Sequence, residues 1–254
     1  MQIKEQYHSI WGVPPTEFVP AMKWIEKAGR TCYDSRDKIT EDSWKPMLNH
    51  LLRRGHLSVF EHVDVITDNA INSRWEAYAG DGRYANNLRV FIERYGIESV
   101  DDLEPFFDGN KQNISNPMIT VEFFTNRAMM AELTRHRLFC GFSIKSTRYC
   151  RESEGLVFIK PVKFEEWHHS IQDEFTMELH NIELTYLKML NRGLPAQQAR
   201  NILPQALSTV IVMTTRLSQW KTIFELRCSS AADPQMQALI KPLRDELLER
   251  FSDA

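Results

Sequence analysis

MITVEFFTNRAMMAELTRHR, residues 118–137, decides how the middle of this chain is built. Its first eight residues are β-branched and aromatic enough for a strand. Asn126 is then a helix N-cap type, and the residues after it predict a helix running through Arg137. That reading sets Arg135 and Arg137 in the last helical turn, where a cation complements the helix dipole and contributes about 0.3–1 kcal/mol.

The basic residues continue past that turn. From Arg135 to Arg151 the chain reads RHRLFCGFSIKSTRYCR, with Arg135, His136, Arg137, Lys145, Arg148 and Arg151 and no acid until Glu152. The whole chain carries 31 Lys+Arg against 34 Asp+Glu, a net charge of −3, so the excess is local. Guanidinium forks match phosphate oxygens in pairs, and a Ser with neighbouring N–H groups completes a cradle. The segment predicts an anion site, with a solvated basic loop as the even alternative.

Outward from there, residues 40–54 predict a helix with Trp44, Met47, Leu48, Leu51 and Leu52 at helical spacing and Gly55 as its cap. GHLSVFEH (55–62) follows, then a short strand over 63–67. Residues 68–117 are polar, with a helix expected at 84–95, and look like an elaboration beside the core. A short strand is expected at 156–159. Trp167, Ile171, Phe175, Leu179, Ile182, Tyr186 and Leu190 give a long amphipathic helix, stopped by Gly193 and Pro195. After it we expect a short helix, a turn near Pro204, a further helix ending near Arg227, and a terminal helix kinked at Pro242. Arg200 and Arg227 sit among apolar residues and need an anionic or hydrogen-bonding partner if buried. No repeat or linker interrupts the chain, which reads as one domain over 1–254.

The start, MQIKEQYHSIWG, lacks the apolar stretch of a signal peptide, and the longest uncharged run, 201–215, is shorter than the ~20 residues of a membrane span. Cys32, Cys140, Cys150 and Cys228 form no CxxC pair, which suits a reducing cytoplasm. Cys140 and Cys150 flank the basic segment, so an activated thiolate is weighed there against the commoner buried thiol. His56, Ser58, Glu61 and His62 fit neither HExxH nor HxxEH, so no metal is expected. GxSxG, GxGxxG and GxxxxGK[ST] are all absent. One compact basic cluster in an acidic chain does not predict nucleic-acid binding.

RTCYDS (30–35), GHLSVFEH (55–62), NNLRVF (86–91), ELTRHR (132–137), STRYC (146–150), QARNILPQALST (198–209) and WKTIFELRC (220–228) together resemble the flavin-dependent thymidylate synthases, over nearly the whole chain. The resemblance implies an α+β fold with long helices on a mixed or antiparallel sheet, residues 68–117 being a family-type elaboration. It implies conversion of dUMP to dTMP with 5,10-methylenetetrahydrofolate, FAD and NADPH, in a homotetramer with shared active sites. Glu132, Arg135, Ser146, Thr147, Arg148 and Arg200 match dUMP-binding positions. Arg227 matches the arginine that polarises the uracil, a role suited to a cation beside a developing anion. His56, Ser58, Glu61, Arg135, His136, Arg137, Arg216 and Thr222 fall at FAD positions.

Four features depart from the family. Eight residues rather than seven separate Arg137 from Ser146, which predicts a bulged loop, and Ile144 replaces a polar contact residue. Arg216 stands for an Asn, where it would meet the FAD pyrophosphate or an acidic group, and Thr222 stands for Asn or His. A relative that ends the reaction differently, for example by hydroxymethyl transfer, and a nucleotide-binding protein without catalysis are the alternatives.

Overall fold

The computed structural model describes residues 1–107 and 116–251. In chain order these form β1 (Gln2–Lys4), β2 (Tyr7–Gly12), α1 (Phe18–Cys32), α2 (Trp44–Arg53), β3 (Asp64–Thr67), β4 (Ala77–Gly80), β5 (Arg83–Asn87), α3 (Leu88–Tyr95), β6 (Met118–Asn126), α4 (Arg127–Leu133), β7 (Gly141–Ile144), β8 (Val157–Ile159), α5 (His169–Asn191), α6 (Ala196–Ala199), β9 (Ser208–Arg216), α7 (Leu217–Arg227) and α8 (Pro234–Arg250). The class is α+β. The central sheet is antiparallel, in the order β2-β6-β9-β7, while β3-β5-β4 make a small antiparallel sheet and β1 pairs with β8 in parallel. Among the described residues no helix is long and apolar enough to cross a membrane.

β6 and β9 pair over nine residues, from Met118 opposite Arg216 to Asn126 opposite Ser208. Alternation along the pleat sends Ile119, Val121 and Phe123 to one face, where they pack with Leu133, Trp220, Phe224, Leu239 and Leu243 from α4, α7 and α8. Trp220 is fully buried and donates its indole N–H to Ile119 O at 3.1 Å. Truncating it to Ala would cost about 3–5 kcal/mol.

A line of polar side chains runs through the interior. Trp24 Nε1 donates to Thr120 Oγ1 (3.3 Å), Thr120 Oγ1 meets Thr214 Oγ1 (2.7 Å), Thr214 meets His62 Nδ1 (2.7 Å), and His62 Nε2 meets Ser143 Oγ (2.9 Å). Burial pushes His62 down to about 3, so the ring is neutral. A second core joins α1, α2, the 3₁₀ turn Leu57–His62 and α3, and a third joins β8, α5 and α6.

Three expectations need correction. The stretch after Pro204, expected to hold a helix ending near Arg227, first forms the central strand β9 over 208–216; the run STVIVMTTR is rich in β-branched residues, and all nine lie buried or half-buried with no exposed polar face to set an alternation. The helix expected at 84–95 begins at Leu88, because Asn87 ends β5 and caps α3 by accepting from Val90 N (3.3 Å). α4 stops at Leu133, so Arg135 and Arg137 lie beyond the helix and its dipole does not explain them. Pro242 is accommodated inside α8.

Candidate active site

α4 ends where Thr134 turns its hydroxyl back to Met130 O (3.1 Å), and the next two N–H groups bond to Glu132 O and Leu133 O. These tight turns carry Arg135 out to solvent and His136 inward. Arg227, the last residue of α7, meets them there. Its Nε donates to His136 Nε2 (2.9 Å), its Nη1 to a Glu132 carboxylate oxygen (2.6 Å) and its Nη2 to Glu132 O (2.8 Å). Burial, with the charges of Arg227 and Arg135, pushes His136 down to about 4. The neutral ring therefore accepts from Arg227, with its own proton on Nδ1. Three of the five guanidinium hydrogens are used and two remain, on a side chain 17% exposed.

The rest of the basic segment lies beyond β7, whose four residues separate it by about 13 Å. Lys145 is held between Asp34 and Glu152, each at 2.8 Å, so its charge is matched. Ser146 N donates to Cys32 O (3.1 Å), and its Oγ accepts from Arg148 N (3.2 Å). Thr147 is buried, while Arg148 is exposed and lies over the Tyr149 ring, 5.1 Å from its centroid. The structure thus separates Ser146, Thr147 and Arg148 from the Glu132, His136 and Arg227 group within one chain. The sequence counted six basic groups as one cluster; here one is matched, one is a neutral imidazole, and the others fall at two ends of a strand.

Arg200 is exposed on the 3₁₀ turn Arg200–Ile202. Near it stands Arg127, which the sequence reading missed. Its backbone N–H reaches Gln205 O (3.0 Å) and Leu207 O (3.1 Å), its Nη1 is buried without a hydrogen-bond partner, and burial together with the Arg200 charge lowers its pKa. An Arg at the first position of a helix opposes the dipole, and that was the available signal.

The remaining cofactor positions divide into open and committed groups. His56 and Ser58 are exposed, His56 Nδ1 lying 3.5 Å from Tyr33 OH. Arg135 and Arg137 are exposed, with no carboxylate partner among the described residues. Glu61 is buried and bonded to Arg89 (2.6 Å), and burial still raises its pKa. Its backbone carbonyl lies where a Cβ on Gly141 would come within 2.8 Å, which fixes the turn Leu57–His62 against the start of β7. Arg216 is 1% exposed and paired with Asp64 (2.9 Å), with further bonds to Asn116 O and Ala85 O (3.2 Å each). Of its two expected partners, the acidic group is the one supplied. Thr222 is exposed and turns its hydroxyl back to Ser218 O (3.5 Å).

The longer loop is absorbed before β7. Phe139 adopts φ 55°, and β7 then pairs with β9 in unbroken register. Ile144 packs against the main core. Burial pushes Cys140 up to about 11 and raises Cys150, so neither is a thiolate at neutral pH. The open donors, two unpaired guanidinium groups with a hydroxyl and an imidazole, have the chemistry a polyanionic cofactor such as FAD needs; Glu61 is taken by Arg89, and Arg216 is paired with Asp64, with its Nε buried without a hydrogen-bond partner.

A family model described as thymidylate synthase complementing protein matches residues 108–251. A probable flavin-dependent thymidylate synthase of Mycobacterium phage L5 is 25% identical over 240 residues, covering 89% of this chain and 74% of that protein. The flavin-dependent thymidylate synthase of Geobacter sulfurreducens is 29% identical over 224 residues (85% and 72%), and that of Pyrococcus furiosus 27% over 128 residues (49% and 52%). With more than half its length matched by that model, the chain belongs to the thymidylate synthase complementing protein family.

Proposed function

We propose that this chain is a flavin-dependent thymidylate synthase, methylating dUMP to dTMP with 5,10-methylenetetrahydrofolate as carbon donor, NADPH as reductant and FAD as redox cofactor. The observation that carries the reading is Arg227, fixed by Glu132 and His136 with two guanidinium hydrogens to spare. Before the uracil C5 can attack the one-carbon unit the ring must be made electron-rich, and that negative charge is shared with its N3 and carbonyl oxygens. A cation already oriented stabilises that charge without reorganising. His136 holds the cation by accepting, which only a neutral imidazole does.

FAD, when bound, supplies the redox equivalents, and His56, Ser58, Arg135 and Arg137 are the groups left to hold it. Protonated Cys140 and Cys150 are compatible with chemistry that uses no protein thiolate. The nucleotide phosphate falls to Ser146, Thr147 and Arg148, and to Arg200 with Arg127. Their separation from Arg227 along β7 supports a flavin-dependent thymidylate synthase fold working as a homotetramer with shared sites, one copy completing another's. The reading also takes 1–254 as one domain, with the cytoplasm as its place of work.

The purified protein, given FAD, NADPH, methylenetetrahydrofolate and dUMP, should yield a nucleotide with the mass of dTMP. Arg227→Ala should lower turnover by about 10²–10³-fold with flavin retained. A hydroxymethyl product would give the scaffold a different end step; bound nucleotide with no product would make it a binding protein; unchanged turnover in the variant would remove the role assigned to Arg227.

A further inference from the structure

The segment between β3 and β6 does more than elaborate the edge. Arg74 and Trp75, in the stretch before β4, come against Arg137, Leu138 and Phe139, and these five residues line a cavity of about 330 Å³. That volume lies at the lower end of small-molecule sites. The rings of Trp75 and Phe139 meet edge to face, with centroids 6.4 Å apart and planes at 67°. The Arg74 guanidinium lies 5.8 Å from the Trp75 centroid.

A packing role alone would bury the two rings and pair the two cations. Instead Trp75 and Phe139 are half-buried, Arg74 and Arg137 are exposed, and neither cation has a carboxylate partner at ion-pair distance among the described residues. Phe139 is also held in the left-handed region at φ 55°, a conformation that costs an aromatic residue free energy and persists where neighbours enforce it. Against its ring lies Arg216, whose guanidinium is 5.7 Å from the Phe139 centroid and is anchored by Asp64. The extra residue before β7, the exchange of Asn for Arg at 216 and the Trp75 segment therefore meet at one ring. Departures that looked independent along the sequence form one continuous structure.

We propose that this pocket binds the ring system of an anionic heteroaromatic compound, with the ring on Trp75 and Phe139 and the negative groups met by Arg74 and Arg137. The inference rests on the proposed function, whose FAD, NADPH and reduced folate all have this chemistry, and it extends that function by giving two residues of the elaboration a direct part in recognition. Aromatic contact with a heterocycle is worth about tenfold or more in affinity, and it tolerates differences between rings because every ring has a π-face.

The test is calorimetric titration of the full chain, separately with FAD, NADPH, methylenetetrahydrofolate and dUMP, for wild type, Arg74→Gln, Trp75→Leu and Trp75→Phe. Arg74→Gln and Trp75→Leu should each weaken the same one of the first three ligands by about tenfold. Trp75→Phe should stay close to wild type, and dUMP affinity should not change. The ligand that weakens identifies the occupant. Unchanged affinities for all three in both variants would overturn the proposal. So would an equal loss of dUMP affinity, which would mark a structural role. A wild type that makes no dTMP while the variants lose one ligand would keep the pocket and discard the reading on which it rests.

Discussion

Arg216 and Arg227 stand at the two ends of α7, each beside a carboxylate, and the two pairs have little else in common. Arg227 lies in the last helical turn, where the dipole favours a cation, and keeps two guanidinium hydrogens unused. Arg216 caps the first turn, where the dipole opposes it, and is sealed at 1% exposure. What offsets that burial is Asp64, with two carbonyl oxygens and the Phe139 ring. A short arginine–carboxylate distance therefore says little about role. The spare donors and the access of water separate a group available for chemistry from one used to join a strand end to a neighbouring sheet.

That contrast can be broken by experiment. Asp64→Asn leaves a buried cation uncompensated and should cost about 3–5 kcal/mol in urea unfolding. Glu132→Gln at the other end, part-exposed, should cost less than about 1 kcal/mol. Similar losses at both ends would refute the distinction. The double change Asp64→Leu with Arg216→Met should recover most of the first loss, since an apolar pair of similar volume commonly replaces a buried ion pair without penalty.

Gly141→Ala probes the ground between the two ends, because its Cβ would lie 2.8 Å from Glu61 O. Something must shift, and a loss of about 1–3 kcal/mol is expected. A neutral result would mean that the turn Leu57–His62 yields easily.

Acid should distinguish the ends as well. His136, at the Arg227 end, is held near 4 against an ordinary 6.5, so below about 6.5 the unfolded chain takes up a proton that the folded chain refuses. Stability is whole above that pH and falls as pH drops toward 4, and His62 extends the decline toward 3. His136→Gln should flatten part of this slope in urea midpoints measured across pH 4–7; an unchanged slope would place the proton elsewhere. The smallest effect belongs to Thr222→Ala, within about 0.5 kcal/mol for an exposed hydroxyl. Loss of copurifying flavin in that variant would return Thr222 to the cofactor site.

Much of this was legible beforehand. The strand over 118–125, the helix ending at Gly55 and the long helix before Gly193 all announce themselves by period and cap. β9 did not, because a centrally placed strand with apolar residues on both faces carries no alternation to read. β1 and β2 went unread for another reason: they are short, carry no clean apolar run, and pair with partners over a hundred residues away. For the site, the resemblance named Glu132, His136 and Arg227, but only the fold shows that they hold one another. Arg127 and Trp75 belong to no motif, and their significance lies in neighbours distant in sequence.

The polar line through the sheet carries a consequence of its own. An indole can only donate, so Trp24 obliges Thr120 to accept; each threonine oxygen has one proton and two lone pairs, so from Thr120 to His62 every link closes in either of two directions. In one direction Nδ1 of His62 receives and the ring hydrogen sits on Nε2, directed at Ser143; in the other Nδ1 donates to Thr214 and Ser143 donates to Nε2. The two directions place the ring hydrogen on different nitrogens, so a ¹⁵N spectrum of that one buried imidazole would report which way three hydroxyls in the sheet point.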